Sequence, residues 1–191
     1  MKSSNDLPDL RVRRTYKFLW EALMMLMTEH NFESITVTDI CTRAMVHRTT
    51  FYKHYEDKNG LLMQGIQNEL NALFAVVDAA LNAPGGRAEE ADTRAWLIAV
   101  FAHVQKQKEF YRLMLTGDGA SRFSTLLRKA LAEHIERHLP HKDKHPSLPL
   151  ALHTQLHAAS MVSTLTWWLE HDCPYAPAEM IKHIKEHMDL I

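Results

Sequence analysis

The sequence has few residues of the kinds that interrupt helices or cross-link chains. Its 191 residues include six glycines, seven prolines and two cysteines. Because glycine and proline are the main breakers of regular structure, their scarcity favours long helices. Cys41 and Cys173 lie far apart in the sequence, so they suggest no disulfide framework and fit a reducing compartment. Hydrophobic residues make up 46% and charged residues 24%, which excludes a disordered chain.

Long apolar runs and a surplus of one charge are also lacking. No run approaches the roughly 18 apolar residues that a membrane-spanning helix needs. The apolar stretch Tyr16–Met27 follows three arginines, as in a secretory signal, but Glu21 interrupts it and no small-residue cleavage site follows. We therefore expect a cytoplasmic protein without membrane contact. The net charge is −1, so any nucleic-acid binding depends on where the basic residues lie.

Apolar residues recur at helical spacing along most of the chain, and no segment reads as a convincing strand. Thr36, with Asp39 three residues on, has the pattern of a helix cap. The eighth helix is apolar on nearly every side from Leu156 to Leu169, which predicts that it is buried all round. The sequence thus predicts an all-α fold of about nine helices: Leu10–His30, Val37–Ala44, His47–His54, a fourth from Asp57 to Leu81, Ala91–Lys106, Glu109–Leu115, Ser121–Leu139, Leu150–Glu170 and a ninth after Pro177.

The segment VHRTTFYKHYEDK, Val46–Lys58, concentrates basic, aromatic and hydroxyl side chains. The third predicted helix lies within this segment, and only Met45 and Val46 separate it from the second. Two short helices joined in this way are the outline of a helix-turn-helix. In that arrangement Phe51 points back to the first two helices, and the third helix faces the major groove of double-stranded DNA. The side chains expected to face DNA are Arg48, Thr49, Thr50, Tyr52, Lys53 and His54, with Thr36 and Lys58 at helix starts that favour an anion.

Arg14 to Leu62 resembles the DNA-binding domain of the TetR family of transcriptional regulators. The resemblance rests on FESITVTDI at Phe32–Ile40, on Arg43, Ala44 and Val46, on TFYKHY at Thr50–Tyr55, and on Asp57-Lys58. The tail WWLEHDCPYAP, Trp167–Pro177, is similar to an ending common in one branch of that family. The resemblance implies a DNA-binding domain over residues 1–58 and a ligand-binding and dimerisation domain over residues 59–191.

The resemblance also implies roles for particular residues. Thr36, Tyr52 and Lys58 would contact phosphates, and Arg48 and Thr50 would approach the bases. Arg14 would add a phosphate or minor-groove contact from the N-terminal arm. A homodimer would form through the last two helices, about residues 150–190.

Three positions depart from the family pattern. Met45 stands where the family usually has glycine, so either a positive φ there is strained or the turn differs slightly. His47 replaces a frequent serine at the start of the third helix, where it is a weaker cap that can instead reach a phosphate. Thr49 replaces a frequent glycine inside that helix. These departures bear on which DNA sequence is bound rather than on whether DNA is bound.

The second half of the chain leaves more alternatives open. One set of large side chains either lines a pocket for a small apolar or aromatic effector or fills a core: Trp96, Phe101, Phe110, Tyr111, Met114, Trp167 and Trp168. The i,i+4 histidine pairs His134/His138, His153/His157 and His183/His187 match no metal motif, so we expect neither metal nor cofactor. No Gly-rich phosphate loop or nucleophile motif indicates an enzyme. The prediction is a dimeric repressor released by a small molecule; the alternative is a DNA-binding adaptor or co-activator whose second domain binds a protein.

Overall fold

The computed structural model describes residues 10–82, 89–117, 120–138 and 148–188 of the chain. In these ranges the backbone forms nine α-helices and a 3-10 helix at Phe32–Ser34, without strands. The α-helices are α1 (Leu10–Glu29), α2 (Val37–Ala44), α3 (Arg48–Phe51), α4 (Lys58–Leu81), α5 (Glu89–Lys106), α6 (Lys108–Thr116), α7 (Ala120–His138), α8 (Leu150–Glu170) and α9 (Pro177–Met188). The prediction of an all-α fold with about nine helices is confirmed. None of the helices described is long and apolar enough to cross a membrane.

The chain divides into two compact units, which we call unit 1 (Met1–Asn68) and unit 2 (Glu69–Ile191). This division lies inside α4. The predicted domain boundary, after residue 58, lies at the start of that helix and stays a prediction.

Unit 1 has a small core to which each of its first helices contributes. Leu19 and Leu23 of α1, Ile40 of α2, Phe51 of α3 and Leu61 of α4 are all fully buried. Burying a side chain of this size stabilises a fold by about 1.5–3 kcal/mol. Phe51 is therefore the residue that holds the four-residue α3 against its neighbours.

Unit 2 is a bundle with an aromatic interior. α8 packs against α7, α6 packs against both, and α5 packs against α9. Phe101, Tyr111, Phe123 and Trp168 are almost completely buried. Edge-to-face contacts join them in pairs, with ring centroids 5.1 Å apart for Phe101 and Trp168 and 6.1 Å apart for Tyr111 and Phe123.

One face of α8 is open in the single chain. Ala158, Leu165 and Trp168 are fully buried, whereas Leu156 is 55% and Trp167 42% exposed. The expectation that α8 is buried on every side is thus wrong for one copy of the chain. Among the described residues, the buried side of the helix packs against α7 and α6, while Leu156 and Trp167 are apolar residues on its exposed side.

The end of α8 is held by a charged clamp. The Asp172 carboxylate accepts hydrogen bonds from Lys108 Nζ at 2.6 Å and from Arg112 Nη2 at 2.5 Å. These two cations hold the pKa of Asp172 down to about 2. Asp172 has a φ of 61°, and the Cys173 N–H donates to Trp168 O at 2.8 Å. The contacts with α6 therefore fix a left-handed residue that ends the helix.

Candidate nucleic-acid interface

The start of α2 is fixed by reciprocal hydrogen bonds between Thr36 and Asp39. The Asp39 N–H donates to Thr36 Oγ1 at 3.2 Å, and the Thr36 N–H donates to Asp39 Oδ2 at 2.9 Å. The hydrogen bonds from Thr36 lower the pKa of Asp39. This is the predicted capping box, and a cap of this kind contributes about 1 kcal/mol. It leaves Thr36 exposed at the amino end of the helix.

The turn between α2 and α3 has a left-handed residue at its centre. Met45 has φ 53° and ψ 39°. The Val46 N–H donates to Cys41 O at 2.9 Å, and the Met45 N–H donates to Thr42 O at 3.2 Å. These are the two bonds of a Schellman motif, which usually contains glycine at the position of Met45. The Met45 side chain is 93% exposed, so packing does not compensate for the backbone conformation.

Helix α3 is shorter than predicted. It comprises Arg48–Phe51, and His47 precedes it without a side-chain capping bond. The chain then continues in turns, in which the His54 N–H donates to Phe51 O at 2.9 Å. The predicted helix His47–His54 is therefore one helical turn extended by a non-helical turn.

The predicted DNA-facing side chains of this segment lie together on the surface of unit 1. Phe51 is buried while its neighbours are exposed or, for Thr50, half-buried. The Arg48 guanidinium carbon lies 5.9 Å from the centroid of the Tyr52 ring, and Tyr52 is 50% exposed. We call this surface the α3 edge; it consists of His47, Arg48, Thr49, Thr50, Tyr52, Lys53 and His54.

Two other predicted residues lie outside the α3 edge but within unit 1. Arg14 is exposed in the first turns of α1, and Thr36 is exposed at the start of α2. The predicted DNA contacts of these residues and of the α3 edge remain predictions, since the structure contains the protein chain alone.

Lys58 makes three hydrogen bonds within the protein that the sequence did not indicate. Its ammonium group donates to Phe32 O at 2.7 Å, to Glu33 O at 2.8 Å and to Ile35 O at 2.8 Å. An ammonium group has three N–H donors, and three carbonyls of the 3-10 turn and its end accept from them. Lys58 therefore ties the start of α4 to the segment that leads into α2. A phosphate contact by its ammonium group would have to displace one of these bonds.

A second contact that sequence reasoning missed joins α1 to α2. Arg43 Nη1 and Nη2 donate to the Glu29 carboxylate at 2.9 Å and 2.7 Å. The hydrogen bond lowers the pKa of Glu29. The pairing is bidentate, which fixes direction as well as distance, and it holds the helix before the turn in its orientation. The two residues are distant in sequence, so spacing alone could not reveal the pair.

The residues predicted to line an effector pocket do not form one surface. Phe101, Phe110, Met114 and Trp168 are buried in unit 2, whereas Trp96 is half-buried. Trp167 points outward and stacks on His171, with ring centroids 4.4 Å apart. Tyr111, which was also a predicted lining residue, is fully buried. Glu69 and His103 were not predicted to line the pocket. Both residues are half-buried, and Glu69 Oε2 and His103 Nε2 are buried without a hydrogen-bond partner among the described residues.

The histidine pairs occupy different environments. His134 is buried, stacks on Phe74 and lies 3.4 Å from the Asp78 carboxylate. The Nε2 atoms of His153 and His157 are 3.1 Å apart. The side chains of His138 and His187 lie outside the described residues. Among the side chains that are described, no three His, Cys, Asp or Glu residues are grouped as a metal site would require.

Comparison with known proteins agrees with this arrangement. The model of bacterial regulatory proteins of the tetR family matches residues 19–64, and a transcriptional regulator C-terminal region matches residues 92–190. Over 60 residues the chain is 38% identical to the HTH-type transcriptional regulator YxbF of Bacillus subtilis (strain 168). That match spans 31% of this chain and 16% of that protein.

Two solved structures share the fold over nearly the whole chain. A TetR-family transcriptional regulator from Syntrophomonas wolfei str. Goettingen aligns with a TM-score of 0.70 at 18% identity, covering 94% of this chain and 95% of that chain. The fatty acid degradation regulator FadR from Bacillus halodurans aligns with a TM-score of 0.64 at 17% identity, covering 97% and 95%.

Both matched family models describe parts of transcription regulators, and together they extend over the helix-turn-helix and most of unit 2. They indicate a DNA-binding regulator rather than an enzyme. The chain belongs to the TetR family of bacterial transcriptional regulators.

Proposed function

We propose that the protein is a dimeric repressor that binds a palindromic DNA operator and is released from it by a small-molecule effector. The observation that carries the proposal is the α3 edge. It combines guanidinium, ammonium, imidazole and hydroxyl groups on one exposed surface, and the buried Phe51 fixes it to the rest of unit 1. These groups are the ones that proteins use to contact phosphates and base edges.

The α3 edge separates into two sets of contacts. Arg48, Thr49 and Thr50 are in the helix itself and would face the base edges of the major groove. His47, Tyr52, Lys53 and His54 flank it and would contact phosphates, as would Thr36 and Arg14. Phosphate contacts set the position of the protein on DNA, while base contacts set its sequence preference. Arg48 is the candidate to read guanine, because a guanidinium matches the two acceptors of that base.

Lys58 would act mainly as a positioning residue. Its three hydrogen bonds go to carbonyls of the segment that leads into α2. Through them it would orient α2, on which the α3 edge depends. Its substitution should therefore weaken binding to all DNA sequences similarly.

The homodimer would form through α8 and α9. Along α8, exposed apolar and small residues recur at intervals of three and four, which places them on one helical face. An apolar helix face of this kind indicates a protein interface, and a two-fold axis would bring the same face of a second copy against it. The residues of this face are Leu152, Leu156, Ala159, Ser163 and Trp167.

This dimer is tested by one charged substitution. Leu156→Glu should convert the protein to a monomer in sedimentation experiments, because a carboxylate would be buried at the seam. Val76→Glu places the same charge on an apolar residue of α4 that is 43% exposed, and it should leave the dimer intact. Dimerisation that survives Leu156→Glu would exclude this face as the interface.

Release by an effector requires two states with different affinities for DNA. A ligand that fits one arrangement of unit 2 better than the other shifts the population toward it, and the shift cannot exceed the difference in affinity. The aromatic interior of unit 2 supports the proposal of a ligand-responsive domain. The proposal predicts that the effector lowers affinity for the operator without lowering affinity for random DNA to the same extent.

The proposed function is tested by selecting DNA from a random duplex pool with the purified protein. Two recognition helices related by a two-fold axis contact successive major grooves, roughly 34–36 Å apart. The enriched sequences should therefore contain an inverted repeat whose half-sites are about one helical turn apart, or a multiple of it. A pool that shows no enrichment at low ionic strength would contradict DNA recognition, and an unrepeated half-site would contradict the dimer.

A further inference from the structure

Three helices of unit 2 each bury a polar atom that has no hydrogen-bond partner among the residues the structure describes. The atoms are Glu69 Oε2 of α4, His103 Nε2 of α5 and Tyr111 Oη of α6. The Tyr111 side chain is fully buried. An unsatisfied buried polar group costs about 1–3 kcal/mol, so native proteins contain few of them and each requires an explanation.

The rings of His103 and Tyr111 are in contact, and Glu69 lies within electrostatic range of Tyr111. The His103 and Tyr111 rings meet edge to face, with centroids 5.9 Å apart and an interplanar angle of 83°. The Glu69 carboxyl lies near enough for its charge to add to burial in raising the pKa of Tyr111. Phe110 flanks the phenol with ring centroids 5.1 Å apart. The three polar groups therefore lie in a region of unit 2 that also contains aromatic rings.

Of the three residues, Glu69 is the one that can carry a charge when His103 and Tyr111 are neutral. Burial, with a smaller contribution from Lys106, lowers the pKa of His103 and favours the neutral imidazole. Burial also raises the pKa of Tyr111 and keeps the phenol neutral. Glu69 is the remaining ionisable group of the three, and burial raises its pKa.

A cationic nitrogen is the ligand group that complements all three atoms. The N–H groups of an ammonium ion are donors, and a carboxylate, a phenol oxygen and a neutral imidazole nitrogen can each accept from them. The faces of aromatic rings attract cations as well. A carboxylate ligand, by contrast, would be placed beside Glu69 and repelled by it.

We propose that Glu69, His103 and Tyr111 form the recognition centre for a protonated amine attached to an apolar or aromatic body. This proposal rests on the proposed function, because it assigns the chemical class of the effector that unit 2 would bind. Glu69 would supply the counter-charge, Tyr111 and His103 would accept the remaining N–H bonds, and the surrounding rings would contact the apolar body.

The first test compares three probes that share a phenylethyl body: 2-phenylethylamine, 2-phenylethanol and 3-phenylpropionate. Binding to the full-length protein is measured by calorimetry and by the shift in melting temperature. Because a hydrogen bond to a charged group is worth more than one between neutral groups, the amine should bind about 10- to 100-fold more tightly than the alcohol, and the acid should bind worst. Glu69→Gln should abolish this preference. The control Glu136→Gln, at an exposed carboxylate of α7, should preserve it.

The second test needs no ligand. Tyr111→Phe removes a hydroxyl that has no internal partner, so the melting temperature of the free protein should stay the same or rise. The same variant should bind the amine less tightly. A clear fall in melting temperature would mean that the hydroxyl is satisfied inside the protein, and the proposal would be overturned.

The remaining outcomes are equally decisive. The proposal is overturned if the amine does not bind at millimolar concentration, if it binds no better than the alcohol, or if Glu69→Gln leaves its preference unchanged. DNA selection is carried out without any probe and judges the proposed function separately. Intact DNA recognition with no amine preference would refute only the ligand class, whereas amine binding without DNA recognition would refute only the regulator.

Discussion

Replacing Met45 by glycine should stabilise the protein, because the turn between α2 and α3 uses a backbone conformation that suits glycine. Met45 has φ 53° and ψ 39°, and its N–H and that of Val46 complete the two hydrogen bonds of the turn. Glycine can adopt the same angles and keep both bonds. The substitution therefore changes the strain of the turn without changing its geometry.

The magnitude follows from three contributions. The left-handed conformation costs a non-glycine residue roughly 1–2 kcal/mol. Glycine loses about 0.5–1 kcal/mol of this gain, because it has more conformational freedom in the unfolded chain. The Met45 side chain is 93% exposed, so its removal forfeits almost no packing. The net stabilisation of unit 1 should be about 0.5–1 kcal/mol.

The assay compares Met45→Gly with Met45→Ala in urea denaturation, with hydrogen exchange of the α2 amides as a readout confined to unit 1. Alanine removes the same side chain but keeps the strain, so its stability should equal that of the wild type within about 0.5 kcal/mol. A glycine variant that is no more stable than the alanine variant would refute the argument from strain.

Three further predictions concern other contacts. Lys58→Met keeps an apolar side chain but loses three carbonyl bonds, so unit 1 should lose about 1.5–3 kcal/mol in urea denaturation; normal stability with weaker DNA binding would instead restore Lys58 to a purely phosphate-binding role. Asp172 has a folded-state pKa of about 2 against an ordinary 3.8, so its contribution is complete above pH 3.8 and is lost as the pH falls toward 2. Asp172→Asn should flatten this part of the acid denaturation curve, and a curve as steep as that of the wild type would exclude the clamp. A Cβ added at Gly65 would overlap the Trp20 ring, so Gly65→Ala should lower the free energy of unfolding by about 1–3 kcal/mol. A Cβ added at Gly60 has its nearest neighbours at 3.8 Å, so Gly60→Ala should be neutral or stabilising. Equal effects of the two substitutions would contradict the contact between Gly65 and Trp20.

The parts of the fold that could be predicted from the sequence depend on local signals. The predicted bounds of α2, Val37–Ala44, match the structure. The start could be predicted because the capping pair Thr36 and Asp39 is a local signal, only three residues apart. The resemblance identified the position of Met45 as one usually occupied by glycine and left open a strained positive φ or a slightly different turn; the structure has the positive φ. Phe51 was recognised as the inward residue of α3 because its neighbours are polar.

The parts that could not be predicted depend on contacts between distant residues. Lys58 looked like a surface cation, and its carbonyl partners lie 23 to 26 residues away in the sequence. Trp167 and Trp168 are adjacent on a helix that is apolar on most sides, so periodicity could not tell that one is 42% exposed and the other buried. The ring contact of His103 with Tyr111, and the electrostatic influence of Glu69 on Tyr111, likewise depend on tertiary structure, which single-helix patterns do not contain.

The most direct test of the DNA-binding account is a fluorescence anisotropy titration of the selected duplex and of a scrambled duplex with wild-type protein, Arg48→Ala and Arg128→Ala. Arg128 is an exposed arginine of α7. Its substitution removes one positive charge, as Arg48→Ala does, but at a position outside the α3 edge. Arg48→Ala should weaken binding to the selected duplex by roughly 1–3 kcal/mol and bind the scrambled duplex nearly as the wild type does, while Arg128→Ala should match the wild type on both. Equal affinity of the wild type for the two duplexes, or equal losses in the two variants, would contradict sequence recognition by the α3 edge.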